Sequence, residues 1–552
     1  MNDNHTPSLS QLGDMLVQLG RYSEAIEYYD KMLAITPQSV EVMHNCALAM
    51  SKLGKFEALA MCDRALRLSP QRPELHHMRG SVLQSFGRLE EALGAYRQAI
   101  TFNPQLFDAH NNMASVLRDL GRYEEALQSC KAALALRPQS GEAMDNYACC
   151  LVGLNRYDEA FAAFDEALRL APHMVAAHND RSNALFRLGR YEDALAGYDA
   201  AIRIAPQSAE AHSSKGSVLQ LLGRQEEAAA CYDEAIRVQP DSAFAQFNKA
   251  VQLLLLGDFV QGWPLYESRW RKPDQRGNRY FAEPLWLGKQ PISGKTILLH
   301  AEQGLGDTIQ FCRYVPMVEA LGAQVIFEVP STLMTLMQSL PGKRQLVMRG
   351  DRLPPFELQC PLLSLPLAFG TTMSNVPCEV PYLSATPSAI ARWQKILGAK
   401  QRPRIGMVWS GTPKHKNDVR RSMPFAALAP LLALGGEFHA LQKELRAEDA
   451  AAIAAGAPMA FHGEALGDMD ATAGLLMAMD VVISVDTSVA HLAGALGKTV
   501  WTLLPSAPDF RWHLTRRDSP WYPTMRLIRQ PQIDQWPPVI TQVMGMLQNE
   551  YL

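Results

Sequence analysis

No stretch of this chain is apolar for long enough to cross a bilayer. Runs such as Leu253 to Leu256 fall far short of the roughly 20 residues a membrane helix needs. A surplus of charge is missing too: 53 Lys and Arg stand against 56 Asp and Glu, a net charge of −3, so the balance gives no sign of a nucleic-acid partner. The start, Met1 to Gly20, lacks a basic stretch followed by an apolar one, which makes a cytoplasmic location the expectation. Cysteine is scarce, nine in 552 residues, odd in number and without a C-x-x-C pair. That pattern argues against a disulfide framework and against a zinc site. The vicinal Cys149 and Cys150 read as packed helix residues, a redox-active pair being the alternative. Asp468 and Asp470 form a lone acidic pair, too little for a metal, so no metal and no bound cofactor is expected.

What is present is a repeat. A leucine, glycine, arginine, aromatic phrase places glycines at Gly20, Gly54, Gly87, Gly121, Gly189, Gly223 and Gly257, with Asn155 in the vacant slot. Prolines recur with it at Pro37, Pro70, Pro104, Pro138, Pro172, Pro206 and Pro240, stepping by 34 residues from Pro70 onward and by 33 before it. One unit reads as a helix over 108–120, a left-handed turn at Gly121, a second helix over 123–136 and a stop at Pro138. Ala25, Ala92, Ala126, Ala160, Ala194 and Ala228 follow the turns and let paired helices approach closely. Tyr29, Tyr96, Phe164, Tyr198 and Tyr232 fill the grooves between hairpins, with Cys62, Cys130 and Cys231 read as fillers of the same kind. A repeat of this length means a stack of helical hairpins that holds another polypeptide, and the pattern resembles the tetratricopeptide repeat.

The texture changes over 263–286, rich in tryptophan, arginine and proline. Beyond it, buried strands are expected over 296–300, 324–329, 404–409, 438–441, 481–485 and 499–504, alternating with helical segments. Such alternation implies parallel sheets covered by helices. The expected fold is thus an all-α solenoid followed by an α/β region of two doubly wound, Rossmann-like halves. Its parts are an array over 1–272, a linker over 273–294, a first half over 295–386, an interdomain linker with an amphipathic helix over 387–402, a second half over 403–530 and a terminal helix over 531–552. Two such halves facing one another place a ligand cleft at the carboxyl ends of their strands.

Three motifs fall where that cleft is expected. The first runs from His300 to Thr308, with Gly304 and Gly306 in a turn and Asp307 at a helix start. A helix-capping aspartate is the plain alternative. The second runs from Val485 to Lys498: a strand ends at Asp486, and the free N–H groups of the next helix, with the Thr487 and Ser488 hydroxyls, suit a diphosphate. His491 lies one turn on. The third, Trp409 to Asp418 with Arg420 and Arg421 following, is a polar, basic loop. Lys414, Lys416 and Arg421 are its candidates for neutralising a departing nucleotide diphosphate, with Ser410 a further donor-binding candidate, a solvated basic loop being the alternative. Gln442 and Glu444 close the next strand, and Glu444 suits a ribose hydroxyl.

These motifs resemble glycosyltransferase family 9, the ADP-heptose transferases of the two-domain GT-B fold. The resemblance implies that Asp307 is the general base acting on an acceptor hydroxyl, and that Asp486, Thr487 and His491 contact the diphosphate and sugar of the donor. Ser488 stands where that family has glycine, which leaves donor identity open. The implied reaction is metal-independent transfer of a sugar from a nucleotide donor, a co-substrate, to a hydroxyl.

An array joined to such a transferase resembles the O-linked N-acetylglucosamine transferases, whose acceptor is protein. In those enzymes an asparagine ladder on the array holds the acceptor backbone. Here the register carries Asn45, Asn112, Asn146 and Asn248, with Asp180 and Ser214, and these residues equally suit simple filling of an exposed polar face. If the ladder works, the acceptor is a protein with serine or threonine in a flexible segment, a bacterial flagellin-like protein being one such. Two rivals remain: a scaffold whose transferase half no longer turns over, and a lipopolysaccharide-type heptosyltransferase in which the repeats serve assembly.

Overall fold

The computed structural model describes residues 9–272, 281–413 and 418–552. The repeats fold as helical hairpins. In the unit analysed above the helices are Phe107–Asp119 and Tyr123–Leu136, within a residue of expectation. The turn closes by two bonds: the Gly121 N–H donates to the Arg118 carbonyl at 2.9 Å and the Arg122 N–H to the Leu117 carbonyl at 2.8 Å. This pairing puts residue 121 at φ 75°, where a Cβ is costly and glycine is not. Asn155 adopts φ 59° and repeats both bonds, to Val152 and, through Arg156, to Leu151. The six turn-following alanines are all fully buried, and Tyr29, Tyr96, Phe164, Tyr198 and Tyr232 are buried beside them.

One regularity was not anticipated. Six residues past the proline, His76, His110, His178 and His212 each bring Nε2 within 2.8 to 3.1 Å of the carbonyl oxygen of Pro70, Pro104, Pro172 and Pro206 respectively. Gln246 bonds the Pro240 carbonyl at 2.6 Å in the same way. The side chain ties the inter-repeat loop to the helix that follows it.

The chain divides into two compact units, residues 1–218 and 219–552. The division falls inside the helix Ala209–Leu221, well before residue 272. The end of the array groups with the second unit through aromatic packing. In the second unit, Trp263 packs edge-on against Phe510 at 5.9 Å and Phe311 at 6.3 Å, and Phe259 lies 6.1 Å from Trp521. Arg269, fully buried, pairs with Glu302 at 2.9 Å and Glu267 at 2.6 Å. The last helices of the array, Ala243–Leu256 and Phe259–Tyr266, are therefore a wall of the α/β core.

Two all-parallel sheets form that core. The first contains β1 (Thr296–His300), β2 (Gln324–Val329), β3 (Arg344–Met348) and β4 (Leu358–Pro361) in the order β3-β2-β1-β4. The second contains β5 (Arg404–Val408), β6 (Glu437–Ala440), β7 (Ala460–Phe461), β8 (Val481–Val485), β9 (Val500–Leu504) and β10 (Met525–Arg529) in the order β10-β9-β8-β5-β6-β7. Strand order reverses beside β1 in the first sheet and between β5 and β8 in the second, the positions where doubly wound sheets open a crevice at their carboxyl ends. All six expected strands are present. The segment over 387–402 is mostly the helix Pro387–Leu397, seated on the helix Met469–Met477, where the buried Trp393 donates Nε1–H to the Ala471 carbonyl at 2.6 Å. The chain closes on the helix Trp536–Glu550.

Candidate functional site

β1 runs out at His300 and the chain turns through Gly304 into the helix Leu305–Phe311. Asp307 is the third residue of that helix. Its Oδ2 accepts the Gly304 N–H at 2.8 Å, and its Oδ1 accepts from the Arg511 guanidinium. Arg511 is itself buried and donates also to Gln310 Oε1 and Asp509 Oδ1, both at 2.8 Å. Both oxygens of the candidate base are therefore engaged.

The second motif meets the first. β8 ends at Val485 and the helix Ser488–Ala495 follows. Gly306 lies against that helix so closely that a Cβ there would stand 2.9 Å from His491 Cδ2 and 3.5 Å from the Ser488 Cα. His491 is 5% exposed, stacks on Trp512 at 5.1 Å, and holds Nδ1 3.0 Å from the Tyr522 hydroxyl and Nε2 3.9 Å from Asp486 Oδ1. Burial, reinforced by Arg511, Arg313 and Arg421, drives its pKa well below the usual histidine value, so the ring is neutral. Burial and the neighbouring Asp509 push the Asp486 carboxyl up to about 6. Thr487 Oγ1 lies 3.2 Å from Ser484 Oγ, and Ser488 opens the helix half-buried.

The third motif leaves β5 as a latched loop. Gln442 Oε1 accepts the N–H groups of Trp409 at 2.8 Å and Ser410 at 3.0 Å, and Gln442 Nε2 returns to Ser410 Oγ at 3.1 Å. Gln442 and Ser410 thus tie the ends of neighbouring strands β5 and β6. Arg421 donates Nη1 to the Asp486 carbonyl oxygen at 2.9 Å, and a Cβ on Gly411 would stand 2.4 Å from Arg421 Nη2, so glycine makes room for the guanidinium. The buried Asp418 anchors the loop, accepting from Ser422 Oγ at 3.0 Å and from Arg446. Lys414 and Lys416 lie outside the described residues. Glu444 is exposed beyond the latch. Asp468 caps the helix Met469–Met477, and Asp470 accepts from Thr386 Oγ1 at 2.6 Å, so that acidic pair is structural.

Asp307, Arg421, Asp486, Thr487, Ser488 and His491 thus converge at the carboxyl ends of β1, β5 and β8. The sequence reading missed Arg511, Asp509, Trp512 and Tyr522. Their signal was a proline- and aromatic-rich run over 505–522 leaving a buried strand, which is where doubly wound sheets place ligand contacts.

Four of the ladder residues are bonded to neighbours. Asn45 donates to Asp14 Oδ1 at 2.8 Å, and Asn112 Nδ2 lies 3.0 Å from His77 Nε2. Asn146, buried, donates to Asn111 Oδ1 at 2.9 Å and accepts from Arg118 at 3.2 Å, while Asp180 Oδ2 accepts from the Cys149 thiol at 3.3 Å. Ser214, and Asn248 in the second unit, are half-buried.

Comparison with known proteins places the repeats in a class. The sequence matches the family described as tetratricopeptide repeat at residues 105–173, 148–209 and 209–242, and that described as TPR repeat at 13–54 and 80–117. The first half is an array of tetratricopeptide repeats. Over 315 residues the chain is 26% identical to Protein FlbA of Caulobacter vibrioides, covering 52% of this chain and 52% of that protein. The chain therefore spans about half the length of that curated relative. Human tetratricopeptide repeat protein 13 is 31% identical over 98 residues, 17% of this chain and 11% of that protein. Among solved structures, a tetratricopeptide repeat protein from Parabacteroides merdae covers 44% of this chain and 97% of its own at 19% identity and a TM-score of 0.41.

Proposed function

We propose that the chain is a GT-B glycosyltransferase that moves a sugar from a nucleotide donor to a hydroxyl of a protein recruited by its repeats. The observation that carries this reading is the meeting of the two motifs, Gly306 against His491, which brings Asp307 and Asp486 together with Arg421 and Arg511 at the ends of parallel strands. In the reaction, Arg421, Arg511 and the N–H groups opening the helix Ser488–Ala495 hold the diphosphate and stabilise the charge that develops on it. Donor phosphate competes for Arg511 and frees Asp307, which takes the acceptor proton as the sugar's anomeric carbon bonds the acceptor oxygen and the nucleoside diphosphate leaves. His491, neutral and covered, fixes the junction between the two sheets rather than moving a proton.

A second reading has its own observation. With both oxygens engaged, Asp307 has the bonding of a structural cap, which favours a tetratricopeptide scaffold with an inactive transferase half. Calorimetric titration of the full chain with UDP, GDP, ADP and CMP separates the two. The transferase reading expects saturable binding of one nucleotide, weakened about 10-fold or more in Arg421→Gln through loss of a charge-assisted hydrogen bond, and Asp307→Asn that binds the nucleotide and transfers nothing. Silence across the panel from folded protein leaves the scaffold.

A further inference from the structure

We propose that Asp145, Cys149 and Asp180 form a binding site for a thiophilic divalent cation of the zinc class, bridging two successive repeats of the first unit. Asp145 and Cys149 are four residues apart on the helix Gly141–Gly153 and share one face of it. Asp180 comes from the helix Val175–Arg187 of the following repeat. One ligand atom from each residue, a carboxylate oxygen or the thiol sulfur, lies within 4.8 Å of the others. Cys149 Sγ and Asp180 Oδ2 are 3.3 Å apart, inside the spacing of about 3.3–3.8 Å that ligand atoms keep around a tetrahedral zinc ion with bonds near 2.0–2.3 Å.

An independent observation points to a ligand there. Asp145 is only 4% exposed, and its Oδ1 accepts no hydrogen bond. A buried carboxylate oxygen without a donor is costly, and a cation removes that cost. Arg118 offers it no hydrogen bond: its donors go to Asn146 Oδ1 at 3.2 Å and Ser115 Oγ at 3.5 Å, and its ion pair at 3.6 Å is with Asp119. Two carboxylates and a thiol at one point suit a borderline-soft ion such as zinc better than magnesium or calcium, which take oxygen alone. Binding displaces the thiol proton now given to Asp180, so one proton leaves as the Zn–S bond forms. Cys149 and Asp180 are half-buried, so an ion can reach them from solvent. Cysteine spacing along the chain gives no sign of such a site, because its ligands come from two helices of different repeats.

The test uses the full chain freed of metal with a chelator and titrated with Co²⁺, then with Zn²⁺ in competition. One equivalent of Co²⁺ should give a thiolate-to-metal charge-transfer band that Zn²⁺ bleaches. Cys149→Ser should abolish the band, Asp145→Asn and Asp180→Asn should weaken binding at least 10-fold, and Cys378→Ser, which changes a cysteine of the second unit, should leave it intact. Far-ultraviolet circular dichroism identifies any variant that fails to fold, and the three ligand variants serve as independent replacements for one another. No saturable binding to the native chain, or a band that survives in folded Cys149→Ser, overturns the proposal.

Discussion

Placing a methyl group on Gly306 tests whether the two sheets of the second unit meet where the motifs do. In Gly306→Ala the new Cβ stands 2.9 Å from His491 Cδ2, against an optimal carbon–carbon separation of about 3.5–4.0 Å. His491 has no room to retreat, because its ring is stacked on Trp512 and its Nδ1 is held by Tyr522. Overpacking of this kind costs about 1–3 kcal/mol, and the helical gain of alanine over glycine returns at most about 1 kcal/mol. The net expectation is roughly 1–2 kcal/mol of destabilisation. Tryptophan fluorescence reads it cleanly, since all nine tryptophans lie at Trp263 or beyond and so report the second unit alone. The denaturant midpoint should fall in Gly306→Ala, and in Gly306→Ala/His491→Ala the two penalties should add to less than their sum, because removing the imidazole removes the clash. A midpoint unchanged or raised in the single variant, or strict additivity in the double, refutes the contact.

Asp486 should make stability depend on pH. Its folded pKa of about 6 lies above the unfolded value near 3.9, so the ionised form is disfavoured by folding and the penalty grows as pH rises between those values. Asp486→Asn should therefore stabilise the second unit by roughly 1–3 kcal/mol at pH 7.5, with the gain vanishing by about pH 4; a gain that does not change with pH, or a loss at pH 7.5, contradicts the burial argument. Trp393→Ala should cost about 3–5 kcal/mol, since the residue is fully buried, and Trp393→Phe about 1 kcal/mol for the lost bond to Ala471. Both are read as urea midpoints, and a near-neutral Trp393→Ala would mean that the helix Pro387–Leu397 does not clamp the second half.

What was legible in the sequence is what local chemistry dictates. Gly121 and Asn155 are visible because a left-handed turn admits few residues, and the alanine and tyrosine series because each hairpin makes the same demand. The buried strands β1, β2, β5, β8 and β9 announce themselves as continuous apolar runs. The four strands missed lack that signature. β3 opens on Arg344 and Gln345 and is only partly buried, β4 ends in a proline, β7 has two exposed residues, and β10 is interrupted by Arg526 and Arg529. The grouping of the last repeats with the second unit is not legible for a different reason. Phe259 and Trp263 continue the helical rhythm of the repeats, and their partners, Phe510 and Trp521, are some 250 residues away in sequence.

The same distance in sequence explains why Arg511 is not legible beside the local motifs. Asp307, Asp486 and His491 stand in local motifs, a strand followed by a turn and a helix, and such motifs can be recognised one at a time. Arg511 stands in none. It is 204 residues from Asp307, and only the packed second unit makes it the partner that occupies the candidate base. A motif identifies a carboxylate, whereas its competence as a base depends on what else bonds it. The competition at Arg511 between Asp307, Asp509 and an incoming diphosphate therefore decides between enzyme and scaffold. If a nucleotide diphosphate binds and Arg511→Lys weakens it while Asp307→Asn does not, Arg511 is the donor's anchor and the pair with Asp307 is a resting contact. If neither variant changes nucleotide binding, the pair belongs to the fold.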